Sequence, residues 1–473
     1  MSKPVQPSLI AVFDKPVCRQ RQAQTDSFSN LYTRNKMKYY SLNKQSPVVD
    51  FAAATILGQA PDKGLYFPET IPQVRNELID DIENYSNEAI AMEVIAPYIG
   101  DAIPKNVLEK IVQETVNFDI PLVKITDDIF SLELFHGPTL AFKDIGARFM
   151  SRCLGYFATH SALLRASKEK VVVLVATSGD TGGAVANGFY DVEGVEVVIL
   201  YPSGKVSAVQ EKQLTTLGKN IHALEVDGTF DECQQIVKAV FADVELNQKI
   251  KLTSANSINV ARWLPQQFYY FYLWKQWKDK NNPPVVAVPS GNFGNICAGL
   301  LAQRSGLPIK HFIAACNAND TVPEFLRSGN YQPKKAVPTI SNAMDVGDPS
   351  NFIRIMEIFH QQIDGLKKTL NGYTISDDET KATLIAVFKE HNYLLDPHGA
   401  VAYNALQQYQ ILHPNTKGVI LETAHPVKFY DVIEPLINLT VPVPEVVAEQ
   451  IKKEKVSTKI NAGIKDLKEF LLR

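Results

Sequence analysis

Short runs of β-branched and aliphatic residues, separated by stretches long enough for a helix, constrain this chain more than any other feature. Val171-Val172-Val173-Leu174-Val175, Val195 to Leu200 and Ile221 to Val226 form one group. Val285 to Val288, Lys310 to Ala315 and Gly418 to Leu421 form a second. Each run reads as a buried strand. Strands alternating with helix-sized gaps predict βαβ units and a parallel sheet. Two groups predict two sheets, so the expected fold class is α/β: parallel or mostly parallel sheets flanked by helices, with a site between them.

At 473 residues the chain exceeds one typical domain. A net charge of −3 gives no reason to expect nucleic acid or an acidic membrane as partner. The five cysteines include no CxxC pair and no Cys/His spacing suited to zinc, so no metal is expected and a reduced cytoplasm fits. No apolar run approaches the roughly 20 residues of a membrane helix. Residues 1–36 lack an apolar core or periodicity and read as a disordered extension. In the next stretch, Gly64-Leu65-Tyr66-Phe67-Pro68 reads as a packed turn, and Glu88 to Ala96 as an amphipathic helix.

Chemistry is concentrated in Leu134-Phe135-His136-Gly137-Pro138-Thr139-Leu140-Ala141-Phe142-Lys143-Asp144. An apolar run ends at Phe135, Gly137-Pro138-Thr139 is turn punctuation, and Thr139 is placed to cap a following helix. Lys143 then lies in the first turns of that helix, beside Phe142. Desolvation and the positive helix end both lower a lysine's pKa there. Such an amine is a nucleophile able to form a Schiff base with an aldehyde. The plain alternative is a surface lysine in an ordinary helix.

Two glycine loops follow strands. Ser290-Gly291-Asn292-Phe293-Gly294-Asn295 comes directly after Val285 to Val288 and opens a helix. Strand, glycine loop and helix N-terminus make an anion site, because backbone N–H groups approach the ligand and the helix dipole adds to the field. Thr177-Ser178-Gly179-Asp180-Thr181 follows Val171 to Val175 and has no Walker lysine, so its hydroxyls and N–H groups suit a carboxylate rather than a nucleotide. A third polar stretch, Ser254 to Arg262, sits between apolar segments. Arg262 there could form paired bonds to a phosphate, with Ser257 and Asn259 adding donors. Each of these also has an ordinary reading, as a tight connection, a capped helix or a solvated loop.

Taken together, and in this order along the chain, these segments resemble threonine synthases, which are fold-type II enzymes that use pyridoxal 5′-phosphate. The resemblance starts near Met37-Lys38-Tyr39-Tyr40-Ser41-Leu42 and runs to near the C-terminus. It implies that Lys143 carries the cofactor and that Ser290, Gly291, Asn292, Phe293, Gly294 and Asn295 cup its phosphate. It implies further that Thr423, in Glu422-Thr423-Ala424-His425, meets the pyridine nitrogen. Thr177, Ser178, Gly179, Asp180 and Thr181 would take the substrate α-carboxylate, and Ser257, Asn259 and Arg262 the substrate phosphate. Lys205 is a weak further phosphate candidate. The contact made by Asp180 stays open, as does the choice for His425 between packing and function.

The resemblance divides the chain into 37–120 as an N-terminal domain, 121–160 with 266–473 as the large cofactor domain, and 161–265 as a small domain. It implies conversion of O-phospho-L-homoserine and water to L-threonine and phosphate, by a monomer or homodimer. A lyase releasing a 2-oxo acid is the near alternative. A binding protein on an inactive enzyme fold is the distant one.

Overall fold

The computed structural model describes residues 36–161, 171–177 and 179–473; Ser178 and the segment before residue 36 lie outside them. Two sheets organise the chain. The larger is six-stranded, in the order β11-β10-β9-β12-β4-β3. Its strands are β3 (Leu122–Lys124), β4 (Ile129–Glu133), β9 (Val285–Pro289), β10 (His311–Cys316), β11 (Leu370–Thr374) and β12 (Gly418–Glu422). All pairings are parallel except β3 with β4. The smaller sheet is all parallel, in the order β13-β7-β6-β5-β8. It consists of β5 (Val171–Ala176), β6 (Val195–Pro202), β7 (Ile221–Asp227), β8 (Lys251–Thr253) and β13 (Thr458–Asn461). A two-stranded antiparallel ribbon, β1 (Tyr39–Ser41) with β2 (Tyr66–Pro68), stands apart from both.

The unbroken apolar runs have a structural cause. Every residue of β5, β9 and β12 is buried, because helices cover both faces of the sheets. One continuous core fills the middle: Val173 and Val197 from the small sheet, Val286, Val288 and Leu421 from the large one, and Phe149 from the helix Lys143–His160 between them. Ala287, Ile313 and Ile420 face outward onto the helix Pro397–Leu412. Val172, Leu174 and Val198 face the helix Phe230–Ala242.

Four local expectations change. Gly64–Pro68 is not merely a turn, since Tyr66–Pro68 pairs with Tyr39–Ser41 as a strand. The helix over 88–96 exists, as Asn87–Ile99, but it is buried nearly all round rather than amphipathic. Its Glu93 is held by Arg75 at 2.7 Å. Thr139 does not cap the helix of Lys143. That helix begins at Lys143 with no side-chain cap, and the Thr139 hydroxyl instead donates to Asp144 Oδ1 at 2.5 Å. Finally, the end of the chain returns to the small sheet. β13 pairs with β7, and Leu467 of the helix Ile464–Leu471 enters that sheet's outer core, so these residues leave the large unit to which the sequence division gave them.

One buried cation ties the ribbon to the rest. Arg354 is fully buried, and its donors go to the carbonyls of Tyr66 (3.0 Å), Ser257 (2.9 Å) and Ile258 (2.6 Å) and to Asn351 Oδ1 (2.8 Å). Its guanidinium lies 4.3 Å from the Trp263 ring centroid. Replacement of Arg354 by Met strands the buried carbonyl of Tyr66 and the part-buried carbonyls of Ser257 and Ile258, and a buried carbonyl left unpaired costs about 1–3 kcal/mol. Arg354→Met is therefore expected to lose about 3 kcal/mol of stability in urea unfolding; an unchanged midpoint and slope would refute this role.

Candidate active site

The lysine segment is laid along the end of β12 by backbone bonds. Leu134 N–H donates to Glu422 O (2.9 Å), Phe142 N–H to Thr423 O (2.9 Å), and His425 N–H to Leu140 O (3.1 Å). Ala141 and Ala424 thus form an antiparallel bridge. The turn before it is tight. Leu140 sits at φ 56°, and a Cβ on Gly137 would come 2.5 Å from Asp144 Oδ2. Asp144 accepts from both the N–H and the hydroxyl of Thr139, which locks the turn to the helix.

Lys143 is consequently the first residue of its helix. Arg262 Nη1 donates to its carbonyl at 3.2 Å, and the Tyr269 hydroxyl donates to the carbonyl of Phe142. Its ammonium lies 5.5 Å from the Phe142 ring centroid. Crowding by protein lowers its pKa; the charges of Lys428 and Arg262 lower it further, and Asp180 opposes them. The direction expected from sequence therefore holds, and more of this amine is uncharged near neutrality than of a solvated lysine.

The cup follows β9. Phe293 adopts φ 59°, a left-handed conformation that costs a bulky residue about 1–3 kcal/mol. It turns the chain so that the helix Gly294–Arg304 starts at once, and the first-turn N–H groups have no carbonyl behind them. Close approach demands the glycine at 291, whose Cβ would lie 2.6 Å from Met344 Cα. Asn292 is held from both ends: its Nδ2 donates to Ser257 Oγ (3.0 Å) and its Oδ1 accepts from Ser350 N–H (2.7 Å). Ser290 Oγ donates back to Val288 O at 2.8 Å. Asn295 is buried, yet its Nδ2 has no partner.

The second loop opens the helix Asp180–Phe189. Thr177 Oγ1 accepts from the N–H groups of Gly179 (3.1 Å) and Gly182 (2.9 Å), so this hydroxyl shapes the loop. Thr181 follows in the helix's first turn. Asp180 is buried and lies 2.7 Å from Lys428 Nζ, with Gln210 Nε2 donating to the same oxygen at 3.0 Å. Burial alone would raise the pKa of Asp180, but Lys428 and Lys143 hold it well below the carboxylate range. Lys428 was not singled out from the sequence. Its signal was there, a lysine between Val427 and Phe429, in the same apolar setting as Lys143.

The third stretch divides. Asn259 is fully committed: Nδ2 donates to Thr55 O (2.9 Å) and Ser254 O (3.3 Å), and Oδ1 caps the helix Val260–Trp263 through Ala261 N–H (3.0 Å). It has no donor left for a substrate, which corrects the expectation. Ser257 Oγ accepts from Asn292 and Asn351, each at 3.0 Å, and keeps its own proton to donate. Arg262 is only 4% exposed, and among the described residues its Nε has no partner. Burial pushes its pKa down to about 10. Among the described residues no carboxylate lies within 4.0 Å of it. Lys205 stays exposed, where its charge acts on Glu232.

Thr423 is buried beside the lysine segment. His425 Nδ1 accepts from Val427 N–H (3.1 Å), its ring meets Phe135 edge-on at 5.2 Å, and burial lowers its pKa to about 4. That is a packing role. Behind Thr423, Asp396 Oδ2 accepts from Ala424 N–H (3.3 Å), while Oδ1 holds His398 Nδ1 (2.6 Å). Among the described residues no group of three or more His, Cys, Asp or Glu could hold a metal, and no helix is long and apolar enough to cross a membrane.

These residues suit pyridoxal phosphate. The glycine-lined helix start and the Asn295 amide, partnerless among the described residues, suit a phosphate, and Lys143 suits an aldehyde. The unpaired Arg262 offers a second anion position.

Comparisons with known proteins point to one family. Residues 121–422 match the family of pyridoxal-phosphate dependent enzymes. Residues 38–116 match the threonine synthase N terminus, and 399–471 the threonine synthase C-terminal region. The threonine synthase of Serratia marcescens is 44% identical over 437 residues, covering 92% of this chain and 99% of that one. Threonine synthase from Escherichia coli matches in structure with TM-score 0.84 and 42% identity, covering 92% of this chain and 99% of that one. The pyridoxal-phosphate-bound threonine synthase from Brucella melitensis reaches TM-score 0.85 at 34% identity, covering 92% and 98%.

Two outcomes are expected. Borohydride reduction of the loaded protein should fix the cofactor on the peptide carrying Lys143, and a label elsewhere would overturn its role. Gly291→Ala should weaken cofactor binding at least about tenfold, since overpacking of this kind costs about 1–3 kcal/mol. Equilibrium titration with the cofactor checks this.

Proposed function

The chain belongs to the threonine synthase family of pyridoxal-phosphate dependent enzymes, and we propose from that premise that it converts O-phospho-L-homoserine and water to L-threonine and phosphate. The observation that carries the substrate is Arg262. A buried guanidinium without a carboxylate is costly unless an anion arrives to bind it. It bonds the carbonyl of Lys143 itself, so an anion there lies next to the reactive amine. Ser257 adds a hydroxyl donor between that position and the cup.

In this reading the cup from Ser290 to Asn295 holds the cofactor phosphate and Thr423 offers its hydroxyl to the ring nitrogen. The loop from Thr177 to Thr181 receives the substrate carboxylate. When bound, the cofactor supplies an electron sink for negative charge developing at Cα of the amino acid. Lys143 Nζ does the proton work. It takes the proton from Cα, and loss of a second proton, from Cβ, breaks the Cγ–O bond and releases phosphate. A proton is then delivered to Cγ, water adds its oxygen at Cβ, and a proton returns to Cα. Thr423 is a neutral hydroxyl and leaves the ring nitrogen largely unprotonated, so catalysis leans more heavily on placed bases such as Lys143. Arg262 and Ser257 hold the phosphate until its bond breaks. The widely spaced cysteines, of which Cys153, Cys233, Cys297 and Cys316 are free and buried, support a reducing cytoplasmic setting.

Arg262→Leu should lower kcat/KM for phosphohomoserine by about 100-fold or more, if charge-assisted bonds of roughly 1.5–3 kcal/mol each are lost. Borohydride labelling of Lys143 should survive, because the cup is untouched. With the intact protein, threonine and phosphate should form in equal amounts. Dominant 2-oxobutyrate would replace this reading with that of a lyase.

A further inference from the structure

The ion pair between Asp180 and Lys428 has no part in the scheme above. Lys428 is fully buried in the turn Pro426–Phe429 after β12, and Asp180 opens a helix on the small sheet. They meet at 2.7 Å across the boundary between the two units, as an ion pair off the line of a hydrogen bond. Gln210 completes the contact. Its Oε1 accepts from Ser207 N–H at 3.4 Å in a capping box, which aims Nε2 at Asp180. Burying such a pair brings little net stability, because desolvation offsets attraction.

What the pair does have is a charged neighbour. The lysine segment is bonded to the chain just before Lys428, through Phe142 N–H to Thr423 O and His425 N–H to Leu140 O, and Leu140 packs with Val427 and Phe429. Lys143 therefore feels Asp180 and Lys428 as well as Arg262, whose Nη1 donates to its carbonyl. The other groups around it are spent or neutral. On its own helix, Asp144 is occupied by Thr139. The Tyr269 hydroxyl donates to Phe142 O, and burial raises its pKa. His425, on the turn carrying Lys428, has its pKa pushed down to about 4. Glu422 is fully buried, and burial with the Asp396 carboxylate beside it raises its pKa well above the usual carboxylate range, favouring the neutral form; Oε1 accepts from Asp396 N–H at 2.6 Å and Oε2 has no partner among the described residues. The cup from Ser290 to Asn295 contains no ionisable side chain. Asp180 is thus the carboxylate that acts on Lys143, and it is already taken.

We propose that Lys428 is a positioning residue for the cofactor lysine: by occupying Asp180 it denies Lys143 a counter-ion and keeps that amine available as a nucleophile. The proposal rests on the reading of Lys143 as the cofactor lysine. The sign follows from counting charges beside Lys143. Asp180 and Lys428 together carry no net charge, and Lys428 offsets part of the pull of Asp180 on Lys143; without Lys428 a full negative charge faces Lys143 and favours its protonated form.

The test uses the full-length chain freed of cofactor. Lys143 is labelled with an amine-reactive reagent across a pH series, and its peptide is quantified. In Lys428→Met the profile should move upward by about one pH unit or more, a roughly tenfold slower labelling at a fixed pH below the midpoint. Lys428→Gln, which keeps a donor for Asp180 but no charge, should do the same and serves if the Met variant does not fold. Lys428→Arg should keep the original profile. Adding Asp180→Asn to either neutral variant should restore it, which a merely structural defect would not do. An unmoved profile in Lys428→Gln, or a shift that Asp180→Asn fails to reverse, overturns the proposal. Should borohydride instead fix the cofactor on another residue, the functional reading fails with it; a correct label with an unmoved profile sinks only the role of Lys428.

Discussion

Leu134 and Phe142 donate backbone N–H groups to the carbonyls of Glu422 and Thr423, and His425 returns one to Leu140. Through these bonds two segments nearly three hundred residues apart become neighbours, and Lys143 is placed at the mouth of its helix beside Thr423 and Lys428. The turn that makes this possible depends on Asp144, whose carboxylate binds Thr139 twice, and on the absence of a side chain at Gly137. A side chain at 137 would strike that carboxylate and release the strap. The position of the Lys143 amine is therefore a property of backbone pairing, which is stiffer than a side-chain contact.

Buried charge is distributed with a bias. Arg354 and Arg262 bond carbonyls rather than carboxylates, so each retains most of its positive field. The helix starting at Gly294 adds the positive end of its dipole beside Ser257 and Asn351. Negative groups are kept occupied elsewhere: Asp180 by Lys428, Asp396 by His398 and Ala424, Asp144 by Thr139. The interior is thus prepared for anions that come from outside, and it needs little rearrangement to receive them.

Several elements serve two units at once. Ser257 is tied to Asn292 and Asn351, while its carbonyl is held by Arg354, which also grips Tyr66 of the ribbon. The chain's last strand pairs with β7 after the chain has completed the large sheet. Movement of one unit against the other would therefore pull on the cup and on the Asp180–Lys428 pair together.

The α/β class, the strands and the glycine loops behind β5 and β9 were legible along the chain, because a strand's apolar run, a loop's glycines and a helix's first turn are local patterns. Lys143 was legible for the same reason, since its apolar neighbours and its helix lie within a few residues. Partners were not. Asn259 looked like a donor for substrate, but a carbonyl from Thr55 and its own helix took its amide. Thr139 looked like a cap until Asp144 claimed its hydroxyl. Lys428 has apolar neighbours that mark it locally, but its partner Asp180 lies far off in the chain and only folding set the two together, and β13 joined the small sheet across a chain distance that no periodicity records. Composition and spacing specify which groups are available. Which of them remain free for chemistry is settled by long-range contacts, because a hydrogen-bonding group is spent on whatever polar atom the folded chain brings within about 3 Å.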